Sequence, residues 1–279
     1  VVQAWATDYI RFEKLGVWQQ DLRHEIRRRC RQLEPVRGQV LHAEFFGEKL
    51  PNADVENLAL YNIDTFRTPG RYGIRFEYGR DVQPAAEGAE YRFGYRYALA
   101  PRSGSFTHWR EVRPLASFGW TDLGAFTGEK KLAQVWRAIA RGDNEVGEPL
   151  TAGAPFAVCV EVRPPIGLGR EPVWGGLVKG IFDGVICAFQ AHWGPLPPRE
   201  NLERLAEQLG VPVEDLEALL DDPPWSVLGE VPGLVSAYRG GVKWAPSDHL
   251  CVAGELLAAD PAPGEDHWAI TGRIVEVAR

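Results

Sequence analysis

The sequence predicts an α+β fold of two similar halves, each an antiparallel or mixed sheet packed with helices, with an acidic helical insertion in the second half. Three observations carry this expectation. Segments with apolar residues at helical spacing alternate with segments that read as strands. The order strand, loop, helix, strands occurs twice, which fits an internal repeat of about 140 residues or a fused pseudo-dimer. A stretch rich in Gly, Pro and acidic residues, 142–155, lies between the two occurrences and marks a boundary. The alternative is that the shared order is a generic property of α+β chains.

The elements follow in order. Trp18, Leu22, Ile26 and Cys30 recur every four residues, which predicts a helix from Val17 to Leu33 with Arg23, Arg27 and Arg31 on another face. Pro35 and Gly38 end it. Gln39–Phe46 reads as a strand and Val55–Ile63 as a short helix or strand. Tyr72–Tyr78 and Tyr91–Leu99 alternate aromatic with polar or small residues, the pattern of an antiparallel pair. Leu132, Val135, Trp136 and Ile139 fall on one side of a helix over 129–141. After the boundary come a strand at Phe156–Val162, a long apolar helix at about Trp174–Ala191, two short helices at Glu200–Leu209 and Val213–Leu220, and strands at Leu250–Leu257 and Trp268–Val277. The expected organisation is a half at 1–145, a half at 150–279, and an insertion at 195–233.

Composition bounds the function. The chain has 279 residues, 45% hydrophobic and 25% charged, with a net charge of −7. That is the balance of a globular protein. No run approaches the roughly 18 apolar residues of a membrane span, and the first residues lack the apolar core of a signal peptide. The absence of methionine points to a trimmed start or to missing methionine positions. Cys30, Cys159, Cys187 and Cys251 are scattered, which indicates neither a zinc site nor a disulfide framework and fits a reducing cytoplasm. The charge is uneven. Residues 1–141 hold 22 basic and 17 acidic side chains, while residues 199–230 hold 2 and 9. Nucleic acid therefore suits the first half, and a protein partner suits the insertion.

The densest cluster of ligand-type residues is His42, Glu44, Asp54 and Glu56. Asp54 and Glu56 converge if they stand at a helix start, where free N–H groups favour negative charge. His42 and Glu44 share a strand face. Together these four would supply the hard ligands that Mg²⁺ or Mn²⁺ needs to activate water and clamp a phosphate. The structural alternative has Asp54 capping the helix, Glu56 exposed and Glu44 in a salt bridge. Arg71, Arg75, Arg92 and Arg96 alternate with aromatics on the strand pair, and with Arg27 they form the candidate nucleic-acid surface. The alternative there is a solvated outer face. Residues 205–220 have the helix–Gly turn–helix form of a DNA-reading motif, but the second helix carries Glu214, Asp215 and Glu217 where basic side chains belong.

Asp54-Val55-Glu56-Asn57-Leu58, followed by Asp64, resembles the metal-binding helix start of RusA-type Holliday junction resolvases. In that family acidic residues bind Mg²⁺ and a lysine assists catalysis in a homodimer. Leu60 stands where the lysine belongs. The second half carries the complement: Pro172, Leu177, Lys179 and Asp183 fall at family spacing, while Val173 and Gly175 replace the metal carboxylates. Asp248-His249-Leu250-Cys251-Val252 corresponds to the later acidic element. The resemblance implies catalytic roles for Asp54, Glu56, Asp64 and Lys179, and a metal held by Asp54 and Glu56 with Glu44 or His42 behind them. It also implies that neither half keeps a whole site. The expected function is a metal-dependent or degenerate nuclease-like protein acting on or binding branched or structured nucleic acid. A non-enzymatic adaptor, docking a protein through the acidic insertion, is the reading from another class.

Overall fold

The structure, a computed structural model, describes residues 1–11, 14–51, 53–63, 68–85, 88–126, 131–168, 172–223 and 225–279. The first elements are β1 (Val2–Ala6), α1 (Val17–Cys30), β2 (Gln39–Gly47), α2 (Val55–Leu60), β3 (Gly73–Gly79) and β4 (Phe93–Pro101). Then come β5 (Arg110–Gly124), α3 (Lys131–Ala140), β6 (Asn144–Val146), β7 (Phe156–Arg163) and α4 (Gly175–Ala188). The inserted segment contributes β8 (Ala191–Trp193), α5 (Arg199–Leu209), α6 (Val213–Asp221), β9 (Glu230–Pro232), β10 (Val235–Tyr238) and β11 (Gly241–Trp244). β12 (Cys251–Ala258) and β13 (Trp268–Ala278) close the chain.

Nine strands form one mixed sheet in the order β1-β4-β2-β3-β12-β7-β13-β5-β6. β2 lies parallel to β3 and antiparallel to β4, so it stands between them, and the antiparallel pair expected of the Tyr72–Tyr78 and Tyr91–Leu99 segments does not form. β7 lies parallel to β12 and antiparallel to β13. The outer strands β1 and β5 then pair antiparallel with β4 and β13. The series β1-α1-β2-α2-β3-β4 thus has the same connectivity as β5-α3-β7-α4-β12-β13. Their sheet orders mirror each other about the central antiparallel pair β3–β12, where Glu77 faces Ala253 and Gly73 faces Leu257.

This connectivity moves the boundary from where the Gly/Pro-rich stretch suggested. β5 pairs along its length with β13, and α3 packs closely on α4, so residues 110–140 belong with the C-terminal elements. The break between the two series falls after β4. The segment at 142–155 is a connection that contains the short edge strand β6.

Strand alternation sorts the side chains onto two faces. Leu41, Ala43, Phe45, Ile74, Phe76, Tyr95 and Tyr97 join the apolar core on the helix-covered face. There Phe76 meets Phe182 of α4 with ring centroids 5.2 Å apart, and the Tyr97 hydroxyl donates to Ala59 O of α2 at 2.9 Å. Close approach of α3 and α4 depends on Gly184, where a Cβ would stand 2.6 Å from Val135 Cβ. The opposite face carries His42, Glu44, Arg75, Glu77 and Arg96, buried in part by the chain after β4, whose Thr107 and His108 N–H groups donate to Glu77 at 2.8 Å each.

The insertion is built into the body. Leu202, Leu205, Ala206, Leu216 and Leu220 are buried, and Arg199 gathers Glu203, Glu214 and Glu217. Among the described residues, 199–230 presents no exposed large hydrophobic side chain, so the exposed apolar docking face expected of an adaptor is absent there. No helix of the described residues is long and apolar enough to cross a membrane.

Candidate functional site

α2 begins at Asp54, which occupies the N-cap position with extended backbone, yet its side chain makes no capping hydrogen bond. Its Oδ2 instead accepts from Asn57 Nδ2 at 2.9 Å and from Lys179 Nζ at 2.7 Å. Val55, Leu58 and Ala59 bury the apolar side of the short helix. That orientation turns Glu56 inward toward α4 rather than to solvent, and Lys179 Nζ donates to Glu56 Oε1 at 2.9 Å. α4 places Asp183 one turn after Lys179, with Oδ1 3.0 Å from the same nitrogen. The segment entering β12 adds Asp248, with Oδ2 at 3.5 Å. One ammonium thus sits among four carboxylates, two from each connectivity series. The lysine is 46% exposed, while Glu56 and Asp183 show only 11% of their side chains to solvent.

Electrostatics follow from that crowding. Burial is the first cause that pushes the Glu56 carboxyl up to about 7, with the charges of Asp54 and Asp183 adding to it against the pull of Lys179. Asp183 rises to about 6, again through burial first, with Asp248 and Asp54 contributing. Asp248 is raised by burial and by Asp54. Burial alone would lower Lys179, but the carboxylates of Glu56, Asp183 and Asp54 hold it far above its ordinary value, so it stays protonated. The cluster has more negative charge than one lysine neutralises. Carboxylate oxygens of Asp54, Glu56 and Asp248 all lie within 4.8 Å of one another, close enough to share one hard divalent cation.

Of the sequence-derived candidates, Asp54, Glu56 and Lys179 come together. Asp64 lies outside the described residues. His42 and Glu44 do share a strand face, but it is the face away from α2. His42 Nε2 is 2.7 Å from Glu77 Oε1, and Glu44 is held by Arg96 and by His108 Nε2 at 3.0 Å. They group with Glu77 rather than with Asp54 and Glu56, so the four-residue ligand set does not form. The reason is packing: the apolar side of α2 must lie on the apolar face of the sheet, which carries Leu41 and Phe45.

The arginine surface also divides. Arg75 is buried, bound to Glu255 and to the carbonyls of Pro101 and Arg102, and is closed to any ligand. Arg96 is engaged by Glu44. Arg71 and Arg92 lie just outside β3 and β4, their guanidinium carbons 5.7 Å from the ring centroids of Tyr72 and Phe93. Arg27, on α1, donates through Nε to Asn62 O at 3.2 Å, beside the end of α2. Asp183 and Asp248 had matched spacing in the sequence but no assigned part in the site. His249 turns outward and pairs with Ser247 Oγ at 3.0 Å. The four cysteines are unpaired.

No protein-family model matches the chain, and neither a curated protein nor a solved structure is significantly similar to it.

Proposed function

We propose that the two connectivity series act as a fused pseudo-dimer with one working site, and that this site binds a divalent cation, Mg²⁺ or Mn²⁺, to hydrolyse a phosphodiester in branched or structured nucleic acid. The observation that carries the reading is the reach of Lys179 Nζ across to Asp54 and Glu56. It joins the carboxylates that the first series keeps to the lysine that the second series keeps. The complementary positions are apolar or lack a side chain: Leu60 is buried, and Val173 and Gly175 offer no ligand. One site per chain is the consequence.

The donors fit such a metal, being carboxylate oxygens of Asp54, Glu56 and Asp248 in one small volume. A bound divalent ion supplies Lewis acidity toward phosphate and a water of lowered pKa. The protein's own part is positional. Asn57 holds Asp54, Asp183 one turn along α4 holds the lysine, and the Lys179 ammonium sets a second positive charge beside the cluster, where charge grows on a phosphoryl oxygen.

The test is cleavage of a four-way junction, a flap, a single strand and a plain duplex in Mg²⁺ or Mn²⁺, with Asp54→Asn and Lys179→Ala alongside. Product from the branched or single-stranded substrates that both variants abolish, together with one Mn²⁺ bound per chain by calorimetry, is the expected result. Wild type with no product and no bound Mn²⁺ overturns the reading.

A further inference from the structure

A cavity of about 240 Å³ opens beside the carboxylate cluster, lined by Arg23 and Arg27 of α1, Glu56 and Tyr61 of the α2 region, and Lys179 of α4. It also borders Leu60 and Gly175, two of the positions where the complementary site has been lost. Arg23 and Arg27 stand four residues apart and so share one face of α1. The Arg23 guanidinium lies 4.6 Å from the centroid of the Tyr61 ring. Its Nε is buried and donates to no acceptor among the described residues. The rest of this guanidinium borders the cavity, and an anion that enters meets its positive charge. The side chains here place three cations along the wall of a space that leads to Glu56.

Resting on the proposed function, we infer that this cavity is the strand subsite: Arg23 and Arg27 hold the phosphate next to the one presented to the carboxylates, and the half-exposed Tyr61 stacks on its base. The substrate class that follows is a single nucleic-acid strand or the unpaired strand at a branch. The volume lies below the roughly 300–1,000 Å³ of pockets that hold drug-sized ligands. A phosphate with its sugar fits such a space. Arginine supplies the fork geometry for phosphate, and an aromatic face accepts any base, so the subsite selects strandedness rather than sequence.

The experiment is fluorescence anisotropy of a labelled oligothymidylate and of a duplex of equal length, with EDTA present so that binding is read apart from cleavage. Arg23→Gln/Arg27→Gln is expected to weaken oligothymidylate binding by about 10- to 100-fold and to flatten the salt dependence by about 1.4, the slope expected for two lost phosphate contacts to a single strand. Tyr61→Ala, with its fold checked by a thermal melt, is expected to weaken it by roughly 5- to 30-fold. Arg28→Gln, on the same helix but paired with Glu25 outside the cavity, is expected to bind like wild type. Inorganic phosphate is the arm for a free-anion site: displacement of the oligonucleotide at micromolar phosphate overturns the strand assignment. Binding by the double variant and by Tyr61→Ala equal to that of Arg28→Gln overturns the subsite while leaving the catalytic reading in place. Arginine-dependent strand binding by a protein that cleaves nothing supports the subsite and removes catalysis.

Discussion

Lys179→Met keeps the length of the side chain and removes its charge, which isolates the electrostatic role of the ammonium. In chelator, that nitrogen is the cation shared by Asp54, Glu56, Asp183 and Asp248 at 2.7, 2.9, 3.0 and 3.5 Å. Opposite unit charges about 4 Å apart attract by about 4 kcal/mol at an effective dielectric of about 20. The lysine is nearly half exposed, so solvent screens part of this, and the retained carboxylates repel one another once it is gone. A loss of about 2–3 kcal/mol at pH 8 is expected. That loss requires ionised carboxylates. Glu56 and Asp183 stand at about 7 and about 6 in the folded protein, above their ordinary values of 4.5 and 3.8. The folded state therefore binds these protons more tightly than the unfolded chain. The resulting stability is present below the ordinary carboxylate range and is lost as pH rises through about 6 and then about 7. At pH 5 both groups are protonated, and Lys179→Met is expected to cost less than about 1 kcal/mol. Urea titrations of wild type and variant in EDTA at pH 5 and pH 8 measure the difference. An equal loss at the two pH values would show that the lysine does not act through the ionisation of Glu56 and Asp183, leaving packing or its contact with Asp54, and the pH argument would be wrong.

Two further expectations concern the scaffold. Glu77 is fully buried and accepts from His42, Thr107 N–H and His108 N–H, so Glu77→Ala is expected to cost about 3–5 kcal/mol in urea unfolding, with partial recovery in Glu77→Gln. Gly184→Ala drives a Cβ into Val135 and the Leu132 carbonyl and is expected to cost about 1–3 kcal/mol. Gly176→Ala, on the same helix with open space around it, is expected to be neutral or to gain about 0.5–1 kcal/mol, and paired thermal melts separate the two.

The helices and most central strands were legible because their signals are local. Trp18, Leu22, Ile26 and Cys30 carry a helical period without help from the rest of the chain, and Tyr72–Tyr78 alternates visibly. β1 and β5 were not legible. β1 is five residues long, and β5 contains Pro114 and Gly119, which read as breaks. It stays a strand because β13 pairs with it through repeated register shifts, one of them beside Pro114. The site divides in the same way. Asp54 and Glu56 at a helix start are a local pattern, and Asp183 at i+4 from Lys179 is another. That Lys179 lies 125 residues from Asp54 yet touches it depends on the central β3–β12 pairing, which no window of sequence contains. The separation of His42 and Glu44 from Asp54 and Glu56 follows from the strand pattern itself. Leu41 and Phe45 make the other side of β2 apolar, and a helix with Val55 and Leu58 facing inward must cover that side.

Relocating the boundary also changes what the charge means. Divided after β4, residues 1–101 hold 15 basic and 14 acidic side chains, and residues 102–279 hold 16 and 24. Nearly all the basic excess of the N-terminal half came from 102–141, which the sheet assigns to the other series. The acidic excess of the second series is almost wholly the insertion at 199–230, whose carboxylates are partly neutralised by Arg199 and, from the residue after α3, by Arg141. The remaining body is close to neutral on both sides of the central strand pair. Long-range attraction of the whole chain for a polyanion is therefore small, and a nucleic-acid partner must be held by local contacts. Among the described residues, the structure offers such contacts beside α1. α1 with the residue after it carries five arginines against Asp21 and Glu25; two of the five line the cavity beside the carboxylates. On the proposed reading, a strand phosphate would meet cations on one wall, and a divalent ion would offset the excess negative charge on the other.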